Sequence, residues 1–191
     1  MFNVGDHIVY PMHGAGTIEG IEEKNILGEK QSYYILKMPG EVKVMVPTNK
    51  AEEIGVREIV DKQTADKVFS VLEEESTEMS LNWNKRYRDN MDKIKTGDIY
   101  EVADVVRNLS FKQKEKGLST GEKKMLLNAK QILVSELVLA EQATQDEIEG
   151  LIDNKITQSF KEFKIDDGTN ITHNMVNKFI PFNDTDDTIV S

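Results

Sequence analysis

Apolar and polar residues alternate in short runs over the first sixty positions, and the period then changes. His7-Ile8-Val9-Tyr10-Pro11, Thr17-Ile18-Glu19-Gly20-Ile21, Gln31 to Met38 and Val42 to Pro47 read as strands, punctuated by His13-Gly14-Ala15-Gly16 and Pro39-Gly40. Four or five strands in so short a segment predict a small barrel, because closure removes the exposed edges of a lone sheet. Such a module binds rather than catalyses.

After Val60 the pattern becomes helical. Asp61 to Glu75 puts Ala65, Val68, Phe69 and Leu72 on one face, and Glu73-Glu74-Glu75-Ser76-Thr77 reads as an exposed connection. Asn82 is a candidate N-cap for a helix that runs to Lys95, with Gly97 placed to end it. Asp98 with Glu101, Ser119 with Glu122 and Thr144 with Glu147 have capping-box spacing and mark three further helix starts. Leu126, Ala129, Leu133 and Leu137 continue an apolar stripe from Ser119 to about Gln142. The expected fold is therefore α+β and multidomain: a barrel domain over residues 1–60, an all-α helical bundle over 61–153, and an extension over 154–191. That extension suggests an amphipathic helix around Phe160 and Phe163, a break at Asp166-Asp167-Gly168 and an acidic end from Asn183 to Asp187.

Composition narrows the function classes. The 191 residues are 38% hydrophobic and 30% charged, enough to bury a real core. There is no Cys, which excludes disulfides and thiolate metal sites. The start Met-Phe-Asn-Val-Gly-Asp has no basic leader and no apolar signal core, and no apolar run approaches membrane-spanning length, so a cytoplasmic location without membrane association is expected. A net charge of -10 argues against general affinity for nucleic acid. The sign is uneven, however: residues 81–130 carry 12 cations against 7 anions, half of the 24 Lys and Arg in the chain. A basic platform on an acidic body suits a protein brought to DNA by a partner.

At the head of that platform lies Leu81-Asn82-Trp83-Asn84-Lys85-Arg86-Tyr87-Arg88, with the chain's one Trp. Trp83, Tyr87, Met91 and Ile94 share a helical face, while Lys85, Arg86 and Arg88 point elsewhere. Two readings stand side by side. Trp83 is either the top of an ordinary core stripe, or an aromatic wedge at a helix end flanked by phosphate-binding cations.

Two fragments imitate hydrolase motifs. His13-Gly14-Ala15-Gly16 looks like an oxyanion loop, and Gly117-Leu118-Ser119-Thr120-Gly121 has nucleophile-elbow spacing. The elbow needs a buried apolar strand before its Ser, and Phe111-Lys112-Gln113-Lys114-Glu115-Lys116 is not one. Ser119 also reads better as an N-cap. His7 and His13 have no metal-ligand spacing to a further strong ligand, and no phosphate-cradling Gly loop occurs. No enzyme activity, cofactor or small-molecule substrate is expected.

Val4-Gly5-Asp6, Val9-Tyr10-Pro11 through Gly16, Val46-Pro47, Asn82-Trp83 through Tyr87 and Leu118-Ser119-Thr120-Gly121-Glu122-Lys123 together resemble the CarD/CdnL family of bacterial transcription regulators. The resemblance covers about residues 1–142, in order and in both halves. It implies a Tudor-like or SH3-like N-terminal domain that docks on the RNA polymerase β subunit. It also implies a helical domain that meets promoter DNA at the upstream edge of the transcription bubble. There Trp83 would wedge into the minor groove and affect the open complex, in most cases stabilising it. Lys85, Arg86, Arg88 and Lys123 match the family's DNA-facing cations, and Tyr87 and Lys124 fall beside them. Lys24 and Met45 occupy polymerase-facing positions where some members carry Arg, with Pro47 next to them, so a contact at Met45 would be apolar. The alternative is a protein-interaction adaptor whose barrel binds a partner without any DNA contact.

Overall fold

Alternation along the chain produces five strands in the computed structural model, which describes residues 1–166. They are β1 (His7–Tyr10), β2 (Gly14–Ile26), β3 (Glu29–Lys37), β4 (Lys43–Pro47) and the two-residue β5 (Arg57–Glu58). All pair antiparallel, in the order β4-β3-β2-β1-β5. The two edge strands β4 and β5 are not paired with each other, so hydrogen bonds do not close the sheet into a ring. The chain crosses from one edge to the other through the turn Thr48–Lys50 and the short helix α1 (Ala51–Ile54). Ile8, Ile18, Tyr34, Leu36, Val46, Ala51 and Val56 form the core under this sheet.

Five longer helices follow: α2 (Lys62–Glu73), α3 (Trp83–Lys95), α4 (Ile99–Glu115), α5 (Thr120–Glu141) and α6 (Gln145–Asp166). Their buried faces make a second core around Val68, Leu72, Val105, Leu109, Leu133, Leu137 and Ile152. Asp61 caps α2 by accepting from the Thr64 amide at 2.7 Å. At Ser119 both halves of the capping box are made, and Thr144 and Glu147 exchange the same pair of bonds. Asp98 departs from expectation, because the Thr96 hydroxyl accepts its amide at 3.1 Å and leaves Glu101 no capping role. Asp98 still caps α4 through the Tyr100 amide.

The expected boundary at 153/154 falls in the middle of α6. The stripe Ile148, Ile152, Ile156 continues past it, buried, into Phe160 and Phe163, which pack against the helical core. Ser159 donates to the Glu73 carbonyl at 2.8 Å, tying the same stretch to the end of α2. The helix expected around Phe160 and Phe163 is thus part of the bundle. Of the break expected at Asp166-Asp167-Gly168, Asp166 is the last residue of α6, and the rest, with the acidic end at 183–187, lies outside the described residues.

Sheet and bundle meet along α5. Gly14 has φ +103°, and a Cβ there would stand 2.5 Å from the Ser135 hydroxyl. The adjacent Ala15 amide donates to that hydroxyl at 2.8 Å. His13-Gly14-Ala15-Gly16 is therefore a close-packing motif where β2 crosses α5. Arg57 and Glu136, 79 residues apart in sequence, form a bidentate pair at 2.6 and 2.9 Å. Arg57 also donates twice to the Gly97 carbonyl, and the Val60 amide donates to Glu136 at 3.0 Å. Gly97 packs against Pro11, where an added Cβ would lie 3.1 Å from the proline ring.

Candidate nucleic-acid interface

The two helix starts of the basic segment converge. Asn82 caps α3 by accepting from the Lys85 amide at 3.0 Å, which sets Trp83 in the first turn. The Trp83 indole donates to the hydroxyl of Ser119, the N-cap of α5, at 2.9 Å. That hydroxyl also accepts the Glu122 amide. Tyr87 stacks on Trp83 with centroids 5.4 Å apart and planes 29° apart. Gly121 lies against both rings, and an added Cβ would be 3.5 to 3.6 Å from them.

Trp83 is nonetheless 44% exposed, and its neighbour Leu81 is 95% exposed. The helical face thus splits: Ile94 is core, Met91 and Tyr87 are half-buried, and Trp83 stands at the rim. With its N–H already bonded and its orientation fixed by Tyr87 and Ser119, the ring presents a fixed, half-exposed apolar plate. It brings no spare donor with which to read sequence.

The cations divide into two sets. Lys85, Arg88, Lys123 and Lys124 are exposed. Lys85 is paired with Asp89 at 2.8 Å, whereas Arg88, Lys123 and Lys124 have no ion-pair partner among the described residues. Arg86 is a correction to the sequence reading. It is 8% exposed, and its Nε donates to Glu122 at 2.6 Å while its guanidinium donates to the Ser80 and Leu81 carbonyls at 2.8 and 3.2 Å. Helical spacing placed it off the Trp83 face but could not show that α5 covers it there. Glu122 also accepts from the Ser119 amide, and Lys112 lies 3.6 Å away. Burial pushes the Glu122 carboxyl up, but the hydrogen bonds from Arg86 and Ser119 and the charge of Arg86 outweigh it, holding the pKa below the usual value. Arg86 and Glu122 therefore fix α3 against α5 beneath the aromatic pair.

Ser119 positions the indole and Gly121 lies beside it, and neither was anticipated there. Ser119 already had a full explanation as an N-cap. Gly121, in the first turn of a helix, gave a signal that could have been followed, since Gly is a poor helix former.

In the N-terminal sheet the strand pairings place Lys24, Met45 and Pro47 on one face. Pro47 is opposite Tyr33, which is opposite Glu22, and Lys24 lies two residues beyond Glu22. Met45 is 50% exposed on the edge strand β4. Lys24 is paired with Glu22 at 2.6 Å.

These two surfaces belong to two separately described domains. The model of the CarD-like/TRCF RID domain matches residues 2–60, and that of the CarD C-terminal domain matches residues 67–153. The chain belongs to the CarD family. A Bacillus subtilis (strain 168) protein named "Putative transcription factor YdeB" is 46% identical to it over 149 residues, spanning 78% of this chain and 97% of that protein. By family, this chain is a transcription factor of the CarD type. The CarD C-terminal domain match stops at residue 153, whereas α6 continues to Asp166. Among the described residues, no helix is long and apolar enough to cross a membrane.

Proposed function

We propose that this CarD-family protein binds the β subunit of RNA polymerase through the sheet face bearing Lys24, Met45 and Pro47. From that anchor it contacts promoter DNA in the minor groove at the upstream edge of the transcription bubble, and so modulates the open complex, in most cases stabilising it. The observation that carries the DNA half is the braced, half-exposed Trp83 at the converging starts of α3 and α5, the helices that carry the exposed Arg88, Lys123 and Lys124, which have no ion-pair partner among the described residues. An apolar plate held from behind can enter between base steps without losing a hydrogen bond of its own, and nearby cations neutralise phosphates. The polymerase half is supported by the match to the RID domain and by β4, whose outer edge is unpaired in the sheet and open to a partner.

A polymerase pull-down followed by open-complex lifetimes with wild-type protein and Trp83→Ala tests the reading. The expected result is capture in both cases, a longer lifetime with wild type, and no such gain with the variant. Equal lifetimes would favour an adaptor that binds polymerase without touching DNA.

A further inference from the structure

Beyond the edge of the sheet, β2 and β3 continue alone. The β4 pairing ends at Pro47 opposite Tyr33, and β1 pairs with β2 no further than Thr17, so the hairpin from about residue 23 to 30 stands as a two-stranded arm. Its turn is Leu27-Gly28, with φ of +53° and +88°. Positive φ at both positions is what a tight hairpin turn requires, and Asn, Asp or Gly fill the first position without strain. Here it is a leucine, and it is completely exposed. The other non-glycine residues with positive φ each have local work: Met12 packs on the helical core, Glu41 pairs with Lys37, and Gln142 caps α5. Leu27 has an unfavourable backbone and buries nothing in the fold.

Ile26, beside it, is 46% exposed and lies two residues past Lys24, hence on the same sheet face as Lys24, Met45 and Pro47. Along the arm Glu23 and Glu29 balance Lys24 and Lys30, so its tip carries no net positive charge. That balance disfavours nucleic acid or an anionic membrane as the tip's partner.

We infer that the arm tip, Leu27 with Ile26, is a further anchor of the polymerase-binding surface, inserting into an apolar socket on the protein that covers the Lys24–Met45–Pro47 face. The inference rests on the polymerase reading above and extends that surface beyond the residues it named. Continuity of one face from Met45 to Ile26 makes a single partner sufficient. A projecting apolar tip that is buried only on docking contributes the transfer of its exposed surface out of water to the partner contact.

The test uses the full chain and RNA polymerase, with Leu27→Asn, Leu27→Met and Met45→Glu measured beside wild type. Asn is the better turn residue, so Leu27→Asn should melt at or above the wild-type temperature while its polymerase affinity falls about tenfold to a hundredfold, as expected for a leucine no longer buried on binding. Leu27→Met should bind nearly as wild type. A stability role for Leu27 predicts the reverse, lower melting with unchanged affinity. If Met45→Glu weakens binding and Leu27→Asn does not, the face is the interface but the tip is not, and the inference falls alone. If both variants bind as wild type, the polymerase reading of the face falls and takes the inference with it.

Discussion

Replacing Arg86 by Ala separates a structural cation from a DNA-binding one. The variant would remove a guanidinium that is 8% exposed and its 2.6 Å bond to Glu122, leaving a carboxylate that is 1% exposed without its main charge partner. Removing one member of a buried pair costs about 3 to 5 kcal/mol. At about 2 to 4 °C per kcal/mol for a chain of this size, the melting temperature should drop by about 6 to 20 °C. An exposed phosphate contact behaves differently. Its loss leaves melting within about 0.5 kcal/mol of wild type and lowers the salt slope of DNA binding by about one. Circular dichroism melts and fluorescence anisotropy on duplex DNA over a salt series measure both quantities, with Lys123→Ala as the contrast. The double variant Arg86→Met, Glu122→Gln should recover much of the lost stability, since no uncompensated charge then remains buried. Near-wild-type melting of Arg86→Ala, together with a reduced salt slope, would refute the assignment and return Arg86 to the DNA.

Trp83→Ala removes a side chain that is already half in solvent. It should cost about 1 to 2 kcal/mol, less than a fully buried aromatic, while shortening open-complex lifetime about 5- to 150-fold; a large melting defect without a DNA defect would make Trp83 core. Because the Glu122 pKa is lowered in the folded state, its stabilising contribution is complete above the ordinary glutamate pKa of about 4.3 and is lost as pH falls through the folded value. Stability of Glu122→Gln should therefore fall less steeply in that acid window than wild type, as read from urea midpoints. Glu136→Ala leaves Arg57 with the Gly97 carbonyl but no carboxylate, and should cost about 2 kcal/mol, discounted for the partial exposure of Arg57. Calorimetry should then resolve separate transitions for the sheet and helical cores, where wild type gives one.

Much of this architecture is written in local pattern. Alternation locates four strands, and side-chain oxygens at Asn82, Asp98, Ser119 and Thr144 locate helix starts, because both depend on neighbours in sequence. β5 has no such signal, since Arg57 and Glu58 are too few to alternate and become a strand only by pairing with Ile8 and Val9. On α5 the stripe Ala129, Leu133, Leu137 was legible, but Ile132, Val134, Ser135 and Glu136 are buried as well. They are covered because the helix lies between other helices and β2, and a period of 3.6 residues describes one buried face. Arg86 was misread for the same reason. The end of the bundle was misplaced because the resemblance stopped before Ile156 and Phe160, while the packing did not. Trp83 was legible as a question, and its half-exposure follows from the meeting of α3 with α5.

With the proposed polymerase and promoter contacts made, the Arg57–Glu136 clasp at the meeting of sheet and bundle would also set a measure along the DNA. Each base pair advances the duplex by about 3.4 Å and turns it by roughly 35°. A joint with swing would let the indole sample several steps around one attachment point. A joint held by a bidentate pair and by Ser135 on the Ala15 amide gives the tip of α3 one offset from the anchoring face. Trp83 would then address one step at one rotational phase, counted from wherever the sheet is moored. On a promoter with one base pair inserted within that span, the same ring would meet sugar and phosphate in place of the open groove, although no base it touches had changed.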